Sequence, residues 1–227
     1  ITSRSKRSIM DGKGRMTFIK QFLTGMIPLL VLYFFLTAYR DFRDNYMIDV
    51  FKAMYPDKEC DATLFSKADY PIAFGIMIVM ALLNLAKNHR RGLLAVFAVM
   101  TAGMLLMGIA TLLKDMDMID GMWWMILNGF GAYLAYVPFG AVLFERIMAS
   151  TKAAGTAVFA IYLCDAVGYT GSVGIQLFKD LGTPDLNYYD FLRQFTYFMS
   201  ITGTVLFLLS LVYFYRKSGV GISPLKR

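Results

Sequence analysis

Six long runs that are almost free of charge divide this chain, and each is long enough, or nearly so, to cross a bilayer. The runs are Phe22 to Tyr39, Tyr70 to Ala86, Leu93 to Leu113, Gly121 to Phe144, Ala153 to Phe178 and Phe195 to Tyr215. Roughly 20 mostly apolar residues span the hydrocarbon as a helix, and a helix satisfies its own backbone N–H and C=O groups where no water can do so. The pattern predicts an all-α polytopic membrane protein. Six transmembrane helices would occupy residues 22–215, between a basic cytoplasmic linker over 1–21 and a cytoplasmic tail over 216–227. Hydrophobic residues make up 57% of the chain and charged ones 17%, against about 45–50% and 25% in soluble domains.

A net charge of +7 could point to nucleic acid, but the placement of the basic residues points to a membrane surface. If the chain weaves up and down, one face holds Arg4, Lys6, Arg7, Lys13, Arg15, Lys20, Lys87, Arg90, Arg91, Arg146, Lys152, Arg216, Lys217, Lys226 and Arg227. The other face holds only Arg40, Arg43, Lys52, Lys58, Lys67, Lys114, Lys179 and Arg193. The positive-inside rule then puts both termini in the cytoplasm, with a bacterial inner membrane as the expected home. The basic opening has no apolar core of a secretory signal. With no Met at position 1, it reads as a start inside a larger polypeptide. Cys60 and Cys164 fall at different depths, so no disulfide is expected.

Short links at Lys87 to Gly92, Lys114 to Asp120 and Arg146 to Lys152 make neighbouring spans antiparallel. Arg40 to Asp69 and Lys179 to Gln194 read as longer outer connections. In the first, the spacing of Phe42, Tyr46 and Asp49 could prolong the first helix until Pro56 ends it; in the second, Gly182 and Pro184 break any helix. Pro28 is a candidate kink in the first span.

The polar residues inside the spans are few and patterned. In the fifth run Tyr162, Asp165, Tyr169, Ser172 and Gln176 stay within roughly an 80° arc of a helix, one stripe with a carboxylate near its middle. A charge at that depth is costly and usually faces a bundle interior or a watery cavity. Asp165 is therefore a candidate substrate or proton-binding group, with Tyr162 and Tyr169 as neighbouring hydrogen-bond donors and Gln176 further along. The alternative is a protonated or paired Asp that locks this helix to a neighbour beside Gly168, Gly171 and Gly174.

At the outer end of the first run, Tyr33, Thr37, Arg40 and Asp44 lie within about 60° of one another if the helix continues. Arg40 and Asp44 would form an i,i+4 pair, and Arg40 could hold a carboxylate or phosphate; the bland reading is a helix end snorkelling its charges to the head groups. In the fourth run Asn128, followed by Gly129, Phe130 and Gly131 and then Tyr133, Tyr136 and Pro138, has polar handles and the composition of a broken helix. Trp123 and Trp124 fit an interfacial belt, and Glu145 and Arg146 an interface pair. The third and sixth runs hold nothing more polar than Ser, Thr and Tyr.

Together these features resemble the C-terminal six-helix half of a major facilitator superfamily transporter: a basic entry, six helices with both ends inside, and a short basic tail. In that family the third and sixth helices of each half are peripheral, which matches the two blandest runs here. The turn Asn84 to Gly92 (NLAKNHRRG) sits where the family repeats its basic interhelical motif, without the expected acidic residue. The stretches AYRDFRDNY, VPFGAVLFERIMA and YLCDAVGYTGSVG are similar to an uncharacterised bacterial family related to that superfamily.

The resemblance implies secondary transport of a small polar or charged solute by alternating access, proton coupling being one option. It also implies an N-terminal six-helix half of the same polypeptide as partner, alongside the lipid bilayer. The alternatives are a transport-incompetent sensor or scaffold and a stand-alone six-helix channel. An intramembrane enzyme is disfavoured: the only histidine is His89, in the basic turn, and there is no paired-His metal site or Gly-x-Ser-x-Gly elbow. No cofactor or metal is called for.

Overall fold

The computed structural model describes residues 12–57, 62–151, 157–182 and 186–219. These are helical, with no strand among them. The described residues form seven α-helices: α1 Gly12–Met54, α2 Ala62–Asn84, α3 His89–Asp115, α4 Gly121–Pro138, α5 Phe144–Thr151, α6 Ala157–Gly182 and α7 Tyr188–Gly219. Five helical stretches are long and apolar enough to cross a membrane, and α2 contributes a shorter apolar piece over Ala68–Asn84. This is the build of an integral helical membrane protein.

The helices are longer than the apolar runs because their flanks are amphipathic. Beyond Tyr39, α1 keeps Phe42, Met47, Val50 and Phe51 buried, with Asp44, Asn45 and Ile48 on the exposed side. That periodicity continues the helix to Met54, two residues before Pro56. The long connection expected over residues 40–69 is therefore mostly helix, since α2 also starts early. Likewise α6 runs to Gly182, and α7 begins at Tyr188. Pro184 and Cys60 lie outside the described residues. The non-helical backbone inside α1 is at Tyr46 (φ −114°, ψ 17°) rather than at Pro28.

Side-chain caps mark three starts. Asn88 Oδ1 accepts from the Arg90 and Arg91 amides ahead of α3, Asp120 Oδ1 from Trp123 N ahead of α4, and Asn187 Oδ1 from Tyr189 and Asp190 N ahead of α7. Each satisfies amides that the first turn leaves orphaned. The fourth span is interrupted, but not at the glycines: α4 passes through Gly129 and Gly131 unbroken. After Pro138 it widens into a π-helical turn over Phe139–Leu143 before α5.

Polar ties fix the up-and-down weave at both ends. At the end where α1 begins, Tyr213 and Lys217 of α7 donate to Gln21 O, and Arg146 of α5 donates to Leu83 O in the last turn of α2 and to Ala86 O just beyond it. At the far end Gly121 N donates to Tyr55 Oη, and Arg193 holds Asp115 through two bonds of 2.6 and 2.7 Å, joined by Tyr197. Trp123 and Trp124 part company: Trp123 is 58% exposed, whereas Trp124 is buried and donates from Nε1 to Thr111 Oγ1 at 3.0 Å.

Between these ties α1 packs on α6 and α7, α3 packs on α4 and α7, and α2 leans mainly on α4. The crossing of α3 on α4 is made by a pair of facing glycines. A Cβ on Gly103 would lie 2.5 Å from Gly131 O, and one on Gly131 would lie 2.6 Å from Gly103 O. In lipid, where apolar side chains gain little by leaving the solvent, such close approach is a main source of helix association. Gly103→Ala is expected to cost about 1–3 kcal/mol through forced separation of the backbones. Gly174→Ala, with no atom within 4 Å of the new methyl, should change stability by no more than about 1 kcal/mol. Thermal unfolding of the two variants in detergent tests this; equal midpoints would mean that the α3–α4 crossing yields freely.

Candidate functional site

The polar residues of the spans collect along the seam between α1 and α6, with α4 closing one side. Two glycines create the seam. A Cβ on Gly168 would lie 2.7 Å from the Tyr33 ring, and one on Gly171 would collide with the Phe34 carbonyl oxygen. The backbone of α6 therefore lies directly on α1. Thr37 Oγ1 sits 3.0 Å from Gly168 O, although its one proton is shared with the carbonyls of Tyr33 and Phe34 on its own helix.

One turn before Gly168, the half-buried Asp165 accepts a 2.9 Å hydrogen bond from Tyr33 Oη. Farther along the same seam Tyr46, at the non-helical point of α1, donates to Gln176 Oε1 at 2.6 Å. Five of the nine site residues expected from the sequence, Tyr33, Thr37, Asp165, Gln176 and Arg40, thus lie along one strip. Tyr162 and Tyr169 do not turn toward α1: they stand on the outward flank of α6, 68% and 66% exposed. The hydroxyl that reaches Asp165 is Tyr33's.

On the α4 side, the Tyr136 ring stacks on the Tyr33 ring at 5.5 Å and 15°. Its other neighbour is Arg40, whose guanidinium carbon lies 4.3 Å from the ring centroid. Arg40 does not pair with Asp44. Its Nε and Nη2 both bind Asp41 Oδ1, because Asp44 is already engaged: it accepts from Arg43 Nη1 at 2.7 Å and from Tyr133 Oη at 2.8 Å.

Arg43 is the tie that sequence spacing misses. Its side chain is 3% exposed, lies against Gly129 and reaches Asp69 of α2 at 3.4 Å, so one guanidinium links α1, α2 and α4. Arg43 sits one position off the Tyr33, Thr37, Arg40, Asp44 stripe. No spacing along α1 marks it, because its partners Asp69 and Gly129 come from other helices. Asn128, expected at the site, is 1% exposed. Both of its polar side-chain atoms and Arg43 Nε are buried without a protein partner. Asn128 belongs to the packed interior, not to the open strip.

Chemically the strip offers a carboxylate, several phenolic hydroxyls and aromatic faces. It offers no nucleophile with an adjacent base. Among the described residues, His, Cys, Asp and Glu side chains nowhere gather in threes as metal ligands, and Cys164, one residue from Asp165, is buried as a free thiol.

No curated protein and no solved structure matches the chain. Residues 1–217 of its 227 match the family of unknown function DUF5690, and the chain belongs to that family.

Proposed function

We propose that this chain is the C-terminal half of a secondary transporter, moving a small polar or charged solute by alternating access across the bacterial inner membrane. In this reading both termini are cytoplasmic, and the strip along α1, α4 and α6 forms one wall of the solute pathway. An N-terminal six-helix half of the same polypeptide supplies the opposite wall.

The observation that carries the reading is Asp165. At 1.5 Å per residue it lies about 12 Å inside the start of α6. It has a tyrosine hydroxyl as partner and no Lys or Arg paired to it among the described residues. Ionisable groups at such depth are costly and characteristically face a pathway or a cavity. Tyr162 and Tyr169 point the same way. Tyrosines exposed to lipid concentrate at the interface, so two exposed phenols flanking a mid-span carboxylate argue for a face turned to water or to the other half. The π-helical turn after Pro138, about one turn below Tyr136, is a plausible place for the fourth span to bend as the pathway opens.

Two measurements test the reading. Uptake into proteoliposomes, screened with pools of amines, amino acids, sugars and carboxylates, should be abolished or uncoupled from the proton gradient in Asp165→Asn while insertion is retained. Unchanged uptake with unchanged gradient dependence removes Asp165 from the mechanism. In a background with the native cysteines replaced, a membrane-impermeant maleimide should modify Tyr162→Cys on α6 and leave Ile109→Cys on the exposed side of α3 untouched. Protection of both positions would remove the reading of the α6 face as the wall of a watery pathway.

A further inference from the structure

The charges along the strip do not balance. Arg40 is held by Asp41, with Nε 2.9 Å from the carboxylate. Arg43 is held by Asp44 at 2.7 Å and Asp69 at 3.4 Å, and Lys179 by Asp180 at 3.1 Å. Every cation of the strip therefore already has its carboxylate. Asp165 is the carboxylate left over: among the described residues no Lys or Arg lies within ion-pair distance of it, and Tyr33 Oη is its hydrogen-bond donor. In a low-dielectric surrounding an ionised carboxylate without a cation is costly, and a positive partner relieves that cost. An anion arriving at Arg40 would first have to displace Asp41 and then face this excess negative charge.

The groups around Asp165 select among cations. Inorganic cations take several oxygen ligands, and the seam has few to give. Thr37 Oγ1 is engaged with main-chain carbonyls, and Tyr33 Oη points its proton at Asp165. Aromatic surface is abundant instead. Tyr162 and Tyr169, at i−3 and i+4, stand one turn to either side of Asp165 on the open flank of α6. The same strip already contains one cation on a tyrosine face, Arg40 over Tyr136 at 4.3 Å. A carboxylate between exposed aromatic rings is the chemistry that recognises alkylated ammonium groups.

We propose that Asp165, Tyr162 and Tyr169 form a binding site for an organic cation, an ammonium-bearing solute whose charged head rests against the Asp165 carboxylate between the two rings. That this cation is carried across the membrane rests on the transport reading; that it binds does not.

The full-length protein in detergent is titrated with tetramethylammonium chloride and butylammonium chloride. Sodium chloride at matched ionic strength and sodium acetate serve as comparisons, and thermal unfolding is the readout. Both organic cations should raise the wild-type Tm saturably, by about 3 °C or more at roughly ten times the half-saturating concentration. Asp165→Asn should lose the shift. Because that change also weakens the Tyr33 hydrogen bond, an amide oxygen replacing a carboxylate as acceptor, a second variant keeps the test decisive: Tyr162→Leu with Tyr169→Leu alters only exposed rings and should weaken the apparent affinity about tenfold, the size of a lost cation–π contact.

No shift with either organic cation, an equal shift with sodium chloride, or a shift confined to acetate each overturns the proposal. Counterflow of labelled butylammonium in proteoliposomes then separates the two ideas. Binding without flux leaves the cation site standing and removes transport. Flux of a carboxylate with no cation binding leaves transport standing and removes the cation site.

Discussion

The contact on which the rest of the arrangement depends is the backbone of α6 lying on α1 at Gly168 and Gly171. A Cβ at either position would enter the Tyr33 ring or the Phe34 carbonyl, so any larger residue moves the helices apart. The 2.9 Å bond from Tyr33 to Asp165 and the 2.6 Å bond from Tyr46 to Gln176 tolerate little of that movement, since hydrogen bonds weaken steeply with length and misalignment. Small residues set the distance, and the polar groups follow from it. The same logic operates at Gly103 and Gly131, where the backbones of α3 and α4 come directly against each other, and at Gly129, whose missing side chain is the space that Arg43 fills. Glycine in these helices costs intrinsic helix propensity, and the close crossings are the compensation.

Two kinds of buried charge sit in this frame, and they are treated differently. Arg43 is enclosed at the meeting of α1, α2 and α4, with carboxylates from α1 and α2 beside it. A guanidinium so placed resists removal, because taking away one partner strands the others in a medium that solvates them poorly. It holds the far end of α2, a helix with few other neighbours besides α4. Asp165 by contrast is only half-buried and has a neutral donor. The first arrangement builds a rigid corner, and the second leaves a charge whose partner is not supplied by the described chain.

The spans were legible in the sequence because hydropathy is a local property: a count of apolar residues over about 20 positions needs no knowledge of neighbours. The helix ends were less so. The amphipathic continuation of α1 past Tyr39 mixes Arg40, Asp41, Arg43 and Asp44 into a pattern whose buried members, Phe42, Met47 and Val50, count only once α7 and α4 are in place to cover them. The site was legible residue by residue but not pair by pair. Spacing along one helix selected Tyr33 and Asp165 separately, and only the seam joins two residues 132 positions apart. The Arg40–Asp44 pairing failed for a tertiary reason, since Tyr133 and Arg43 take Asp44 first. Asn128 misled because polarity in mid-span signals either a pathway or a packed crossing, and its glycine neighbours, which suggested a broken helix, are what allow the crossing.

What distinguishes the α6 face from an ordinary lipid-facing surface is the combination of its members. Exposed Val158, Val173 and Leu177 on the same helix suit lipid well; exposed phenols beside a carboxylate do not. Hydrocarbon offers nothing to hydrogen-bond a phenol or to solvate an acid, so a bilayer in contact with this stretch would have to thin, admit water or protonate the group. A watery pathway or an apposed protein surface removes that penalty, and either would leave α3 and the outer side of α7, with Leu105, Ile109, Leu208 and Val212 exposed, as the faces that meet lipid. The bundle is thereby asymmetric by chemistry, apolar where α3 and α7 turn outward and polar where α1 and α6 meet, and it is on this asymmetry, more than on any single motif, that the proposed passage of a solute along one side rests.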